Sequence, residues 1–106
     1  MLYLWAIIKY KKILDRLNLT AYYGNLLPIY NWRTYALFRE KLKNEVNEWI
    51  NSQENLIDFE SEVGVLMDSS WHFKDGYDSG DHLHPSKEAY KAMGILAAEC
   101  LFKDKS

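Results

Sequence analysis

The sequence predicts an α/β fold, and three observations support this prediction. Apolar side chains recur every three or four residues in three segments, which is the spacing of amphipathic helices. Two short apolar segments, typical of buried strands, lie between them, and this alternation favours a parallel sheet with helices on both faces. The length of 106 residues allows one domain, and a hydrophobic content of 48% indicates a chain with a core.

The first helix is predicted over residues 2–17, where Trp5 begins an apolar stripe. The apolar start of the chain is shorter than the ~20 residues that a membrane-spanning helix needs. Its basic residues follow the apolar stretch, whereas a secretory signal has them in front. We therefore expect an ordinary helix here and no membrane span.

A strand and a long helix are predicted next. The strand lies within residues 18–27, where Gly24 indicates a bulge or a close backbone approach, and a loop begins at Pro28. The helix is predicted over residues 34–52, with Lys43 off the apolar face. The stripe expected to face the core consists of Tyr35, Phe38, Leu42, Val46 and Trp49.

The second half of the chain predicts one more strand and a final helix. Residues 56–59 form a short apolar run, and Asp58 within it is expected to cap nearby backbone. Residues 60–77 are predicted to be irregular, with at most one helical turn. A helix is predicted from Ser86, which is a suitable N-cap, and Pro85 favours a sharp entry into it.

Two parallel strands would make an unusually narrow sheet. Parallel sheets are normally buried on both faces, so a sheet of this width leaves apolar edges and faces open. Periodicity alone therefore predicts that residues 1–106 form a single partial domain. Such a domain could associate with itself through the exposed sheet.

Charge and cysteine content exclude several function classes. A net charge of -2 leaves no basic surface for nucleic acid, and Lys9, Lys11 and Lys12 are interpreted as a solvated helix face. The one cysteine, Cys100, cannot form an intrachain disulfide and gives no Cys-x-x-Cys spacing for zinc. No cofactor is predicted, and the cellular location is not indicated.

The segment from Tyr77 to Pro85 holds two aspartates and two histidines ahead of the last helix. Loops beyond the carboxyl ends of strands are where open α/β sheets bind ligands. An aspartate three residues before a histidine can accept the Nδ1–H of the imidazole, which leaves Nε2 free to act as a general base. Gly80 permits the tight turn that this contact needs. Asp81 and His84 are therefore the predicted catalytic pair.

The surrounding residues resemble a known enzyme family. The run GDHLHPS at residues 80–86, with the Ala-Tyr and Ala-Met pairs of residues 89–93, is similar to the last conserved block of SGNH/GDSL hydrolases. The run YGNLLP at residues 23–28 resembles the strand-to-loop step before that block. Residues 46–50 and 57–59 resemble the helix and the strand that follow this strand-to-loop step.

The resemblance implies a three-layer α/β/α, flavodoxin-like fold with parallel strands, of which this chain lacks the N-terminal strands. It also implies hydrolysis of a small carboxylic ester by a Ser-His-Asp triad, through an acyl-enzyme intermediate. His84 would be the base and then the acid, and Asp81 would orient it. Acetylated carbohydrates, short-chain esters and lysophospholipids are all possible substrates of such an enzyme.

This chain departs from the family in lacking a nucleophile. The family's serine lies in a Gly-Asp-Ser motif, and oxyanion donors include a Gly-x-Asn-Asp block, but neither motif occurs here. The run Asp78-Ser79-Gly80 has the same three residues in a different order, and Ser69 and Ser70 have no glycine nearby. The chain is therefore interpreted as the C-terminal half of the domain and is predicted to be inactive alone.

Two other interpretations remain open. His82 and His84, with Asp78 and Asp81, offer nitrogen and oxygen ligands that could suit zinc in a metal-binding loop. Alternatively, the chain could be a non-catalytic interaction or complementing module that uses its incomplete sheet to dock another chain.

Overall fold

The computed structural model describes residues 2–103 and has a mixed helix and strand architecture. The predicted α/β class is confirmed at this level, and all three predicted helices are present. The helices are α1 (Leu2–Arg16), α2 (Leu37–Asn51), α3 (Phe59–Val63) and α4 (Lys87–Phe102). The strands are β1 (Tyr23–Gly24), β2 (Leu56–Ile57), β3 (Gly64–Met67) and β4 (Ser70–Phe73).

The two predicted strands pair in parallel, as expected, but each is shorter than predicted. Tyr23 lies opposite Leu56 and Gly24 opposite Ile57. Another residue does approach Gly24 closely, but it is a side chain and not the expected backbone: a Cβ there would lie 2.6 Å from Cε2 of Phe59. Phe59 itself was expected at the end of β2 but begins α3. The pair therefore extends over two residues on each strand.

Asp58 explains why β2 ends early. Its carboxylate accepts the backbone N–H of Ser61 at 3.2 Å and so caps α3, as a residue in this position was expected to do. The same carboxylate oxygen accepts from Nδ2 of Asn25 at 2.7 Å, and that nitrogen also donates to Asn51 at 2.9 Å. Asn25 in turn accepts the backbone N–H of Glu60 at 2.9 Å. One buried amide therefore joins the end of β1 to α2 and α3.

The prediction that residues 60–77 are irregular, with at most one helical turn, is wrong. After α3 the chain forms an antiparallel hairpin, in which Gly64 pairs with Phe73 and the strands close at a two-residue turn. The turn residues Asp68 and Ser69 have φ values of 49° and 69°, as the central residues of a type I′ turn do. The usual sequence signal for that turn ends in glycine, and this pair lacks it, so the hairpin has only a weak local signature.

The prediction for the buried face of α2 is also wrong at two of its five positions. Phe38 and Leu42 were expected in the core, but they are 58% and 43% exposed. Val46 is buried as expected. The buried positions of this helix are Glu40, Lys43, Val46, Asn47 and Ile50. The helix therefore buries polar side chains together with Val46 and Ile50, and Trp49 of the predicted stripe packs edge-on against Tyr23 of β1.

Polar contacts account for this orientation of α2. The Lys43 ammonium forms ion pairs with Glu60 on α3 and, at 3.4 Å, with Glu40 on its own helix. Burial raises the pKa of the Glu60 carboxyl, and the hydrogen bond from Lys43 opposes that shift. Asn47 accepts the N–H of Leu26 at 2.7 Å and donates to its C=O at 2.9 Å. Buried polar groups need such partners, and α2 can find them only with this face inward.

The last helix begins as predicted. Ser86 is its N-cap, and its Oγ accepts the backbone N–H of Ala89 at 3.2 Å. Large apolar side chains nevertheless remain exposed on both terminal helices, including Trp5 on α1 and Ile95 on α4. In residues 2–103, no helix combines the length and apolarity needed to cross a membrane.

Candidate active site

The loop between β4 and α4 is closed on itself at its base. We call residues 77–86 the dyad loop. The N–H of Ser86 donates to the C=O of Tyr77 at 2.8 Å, and the N–H of Ser79 donates to the C=O of His84 at 3.0 Å. The Ser86 hydroxyl also donates to the C=O of Gly76 at 2.7 Å. These bonds fix the loop against the first turn of α4.

Asp81 and His84 are in contact within this loop, as the sequence predicted. Nδ1 of His84 lies 2.6 Å from Oδ2 of Asp81. The other carboxylate oxygen accepts the backbone N–H groups of Leu83 at 2.9 Å and His84 at 2.8 Å, and the Ser79 hydroxyl at 3.1 Å. The backbone N–H of His84, followed by its imidazole, holds the pKa of the Asp81 carboxyl well below its usual range. Asp81 is therefore an anion at neutral pH.

This geometry gives His84 the properties of a general base. A carboxylate at Nδ1 holds the proton there in the neutral ring, so Nε2 is left with its lone pair. The His84 side chain is 63% exposed, so another group can reach it. The ionised Asp81 also stabilises the imidazolium that forms when Nε2 takes up a proton. The pair lacks only a hydroxyl to deprotonate.

An apolar cavity lies beside the imidazole. It has a volume of about 760 Å³, and Leu83, His84 and Pro85 of the dyad loop form part of its wall. Two basic side chains, Arg39 and Lys43, also line it. Apolar side chains from α1, α2 and the loop after β1 make up much of the rest, among them Ile7, Leu26, Leu27, Ile29 and Trp32. A cavity of this size and lining can hold an apolar group next to the base.

The same loop contains a second aspartate–histidine pair, which was not predicted from the sequence. Nδ1 of His82 is 2.6 Å from Oδ2 of Asp78. The other oxygen of Asp78 accepts the backbone N–H groups of Gly80 at 2.8 Å and His82 at 3.0 Å. The spacing of four residues around a glycine was visible in the sequence. However, Asp78 and His82 were predicted only as possible zinc ligands, and no contact between the two was expected.

The alternative of a metal-binding loop gains no support from this geometry. In the described part of the chain, no three His, Cys, Asp or Glu side chains form a group that could hold a metal ion. Each imidazole is bound through Nδ1 to its own aspartate. The remaining carboxylate oxygens accept backbone N–H groups, so the four side chains do not converge on one point.

Among the described serines, those with a recorded hydroxyl hydrogen bond bind groups other than the His84 imidazole. Ser69 is in the hairpin turn and Ser70 is in β4. Ser79 lies in the dyad loop, but its hydroxyl donates to Asp81 rather than to the imidazole. Within residues 2–103, no serine hydroxyl is hydrogen-bonded to His84.

Comparisons with known proteins add no identification: no family model matches the chain, and no curated protein matches it. The function is therefore inferred from the chemistry of the dyad loop and from the resemblance carried by its residues.

Proposed function

We propose that this chain is the C-terminal part of a serine ester hydrolase of the SGNH/GDSL type and that it supplies the acid and base of a Ser-His-Asp triad. The observation that carries the proposal is the 2.6 Å contact between Nδ1 of His84 and Oδ2 of Asp81. It leaves Nε2 available on an exposed ring beside an apolar cavity. The GDHLHPS run in which the pair occurs is the part of the sequence most similar to that family.

In the proposed reaction, Nε2 of His84 takes the proton of a serine hydroxyl as the serine oxygen attacks the ester carbonyl. The same proton then passes to the departing alkoxide, which leaves as the alcohol. Water attacks the acyl-enzyme in a second cycle, in which His84 again accepts a proton and returns it to the serine. Asp81 stays ionised throughout, orients the ring and stabilises the imidazolium.

The proposal requires a segment that brings this serine to His84. We propose that it belongs to the missing N-terminal strands of a three-layer, flavodoxin-like domain, of which residues 1–106 are one part. Among the described strands, β1 has a neighbour on one edge only. Parallel sheets are normally wider than two strands and covered on both faces, so further strands at this open edge are compatible with the architecture.

The test begins with the nucleotide sequence upstream of this chain. The proposal predicts a reading frame there that encodes Gly-Asp-Ser and Gly-x-Asn-Asp. Co-expression of its product with the chain should give saturable hydrolysis of p-nitrophenyl acetate. That activity should be lost in His84→Ala, because the base is removed, and retained in His72→Ala, the matched control on β4.

Two results would contradict the proposal. One is an upstream frame without either motif, and the other is a complemented enzyme that keeps full activity in His84→Ala. The isolated chain is expected to show no turnover above background, since it lacks the nucleophile and the oxyanion donors. Saturable hydrolysis by the isolated chain that disappears in His84→Ala would also be inconsistent with the proposal.

A second candidate function is favoured by the exposed apolar surface. Tyr10 on α1, Leu66 on β3 and Tyr90 on α4 are each more than half exposed. Surfaces of this kind recruit partners, so we propose as the alternative a non-catalytic module that associates with itself or with another chain. Light scattering after size-exclusion chromatography tests it, because a stable monomer at high concentration argues against self-association.

A further inference from the structure

The dyad loop contains two units of the same construction. In each, one oxygen of an aspartate accepts two backbone N–H groups of the turn that follows, and the other oxygen contacts Nδ1 of a histidine at 2.6 Å. Asp78 and His82 form the first unit, and Asp81 and His84 form the second. The proposed reaction uses only the second unit and leaves the first without a role.

The two units interlock at Asp81. The N–H groups that Asp78 holds belong to Gly80 and His82, which are the residues on either side of Asp81. Asp78 therefore restrains the backbone on both sides of the carboxylate that orients His84. It is also the less exposed of the two aspartates, at 23% against 49% for Asp81.

Backbone conformation indicates why this restraint is needed. His82 has φ 61°, in the left-handed region, which a residue with a side chain adopts at a cost. Gly80, on the other side of Asp81, also has a positive φ, of 123°. Glycine adopts a positive φ without this cost, so only His82 is in an unfavourable conformation. The N–H groups of both residues bind Asp78, which therefore favours the turn that contains Asp81.

We infer that Asp78 is a positioning residue for the base, because it holds Asp81 against Nδ1 of His84. It does so through the backbone N–H groups of Gly80 and His82, while its other oxygen binds the His82 imidazole. This inference rests on the proposed function, since it concerns the same base. In this role Asp78 and His82 help to fix the orientation and the tautomer of the His84 imidazole, and they do not contact the substrate.

The tautomer of His84 in the isolated chain tests the inference directly. Long-range ¹H–¹⁵N spectra recorded well above the ordinary histidine pKa of about 6.5 distinguish a ring protonated at Nδ1 from one protonated at Nε2. The His84 signals are assigned by their loss in His84→Gln. In the wild type, the Nδ1–H form should predominate, because Asp81 accepts that proton.

Variants at Asp81, Asp78 and Asp75 distinguish a positioning role of Asp78 from a general loss of folded structure. Asp81→Ala should lose the Nδ1–H form of His84, and Asp78→Ala should lose much of it although Asp78 does not contact His84. Asp78→Asn should lie between Asp78→Ala and the wild type, since an amide oxygen can still accept the two N–H groups. Asp75→Ala, an exposed aspartate just before the loop, is the matched control and should leave the tautomer unchanged.

Each outcome decides one claim. If Asp81→Ala shifts the tautomer and Asp78→Ala does not, the role of Asp78 is refuted while the proposed function stands. If Asp81→Ala has no effect either, the catalytic pair itself does not form in solution. Should Asp78→Ala fail to fold, as shown by its far-UV spectrum, Asp78→Asn decides, and a tautomer population equal to that of wild type overturns the inference.

Discussion

The dyad loop and the polar contacts of α2 use the same kinds of group in opposite ways. In the loop, every carboxylate finds its partners within four residues, and the groups are at the surface. On α2, Lys43 and Asn47 are buried and find partners 17 and 21 residues away. The comparison shows that the loop geometry is a local property of the chain, whereas the α2 contacts depend on the whole fold. Substitutions in the two regions should therefore differ in what they change.

The largest expected change in the free energy of unfolding comes from removing the buried cation on α2. Lys43→Met would leave the Glu60 and Glu40 carboxylates without their counter-ion in a site where the Lys43 side chain is 4% exposed. Breaking a buried ion pair in this way costs about 3–5 kcal/mol. Urea unfolding measures it, with the exposed Lys41→Met as control. A loss no greater than that of the control would show that the ion pairs contribute little.

A smaller loss of stability is expected for Asn47→Ala. The substitution removes the two hydrogen bonds that the Asn47 amide makes to the N–H and the C=O of Leu26. The expected cost is about 1–3 kcal/mol. The urea midpoint should fall accordingly, whereas the exposed neighbour Glu48→Ala should leave it nearly unchanged. Equal midpoints for the two variants would mean that α2 is not anchored through Leu26.

The dyad loop should tolerate substitution with little change in stability. His84→Ala removes an exposed ring whose contact is confined to a neighbouring residue. Its thermal midpoint should stay close to that of the wild type, and far above that of Lys43→Met, because exposed ion pairs contribute little to folding. A midpoint as low as that of Lys43→Met would mean that the loop is part of the structural core.

The two regions should also respond to pH with opposite signs, and this is the smallest effect. The pKa of Asp81 is lowered, so its stabilising contribution is present above its unfolded value of 3.8 and is lost as the pH falls through the folded value. The pKa of Glu60 is raised, so the folded state binds its proton more readily and stability declines as the pH rises from 4.5 through the folded value.

Carboxyl ¹³C shifts followed from pH 7 downward measure both groups in one titration. Glu60 should take up its proton first and Asp81 last. Asp81→Asn should remove the low-pH transition and leave that of Glu60 in place. The reverse order of protonation would contradict the contrast between a buried carboxylate and an exposed one held by N–H donors.

What could be predicted from the sequence follows the same division. The contact between Asp81 and His84 and the N-cap at Ser86 depend on groups three residues apart, so their spacing was enough to predict them. The Asp78–His82 pair is equally local, and it was missed because only the second pair belongs to the motif that resembles a known family. The hairpin was missed because Asp68 and Ser69 lack the glycine that normally marks its turn.

The buried face of α2 could not be predicted in this way. Phe38 and Leu42 have the spacing of a core stripe, and hydrophobicity alone places them inside. Which face is buried depends on whether Lys43 and Asn47 find partners on distant segments, and helical periodicity contains no information about those partners.

The sequence by itself determined the three long helices and the turn that holds an imidazole against a carboxylate. These features arise from contacts within a few residues or from repeated spacing. Only the tertiary structure decided that α2 turns its charged side inward and that an apolar cavity lies beside His84. The physical reason is that buried ion pairs, amide contacts and cavities are formed by segments that are distant in the chain, and their free energy depends on how those segments meet.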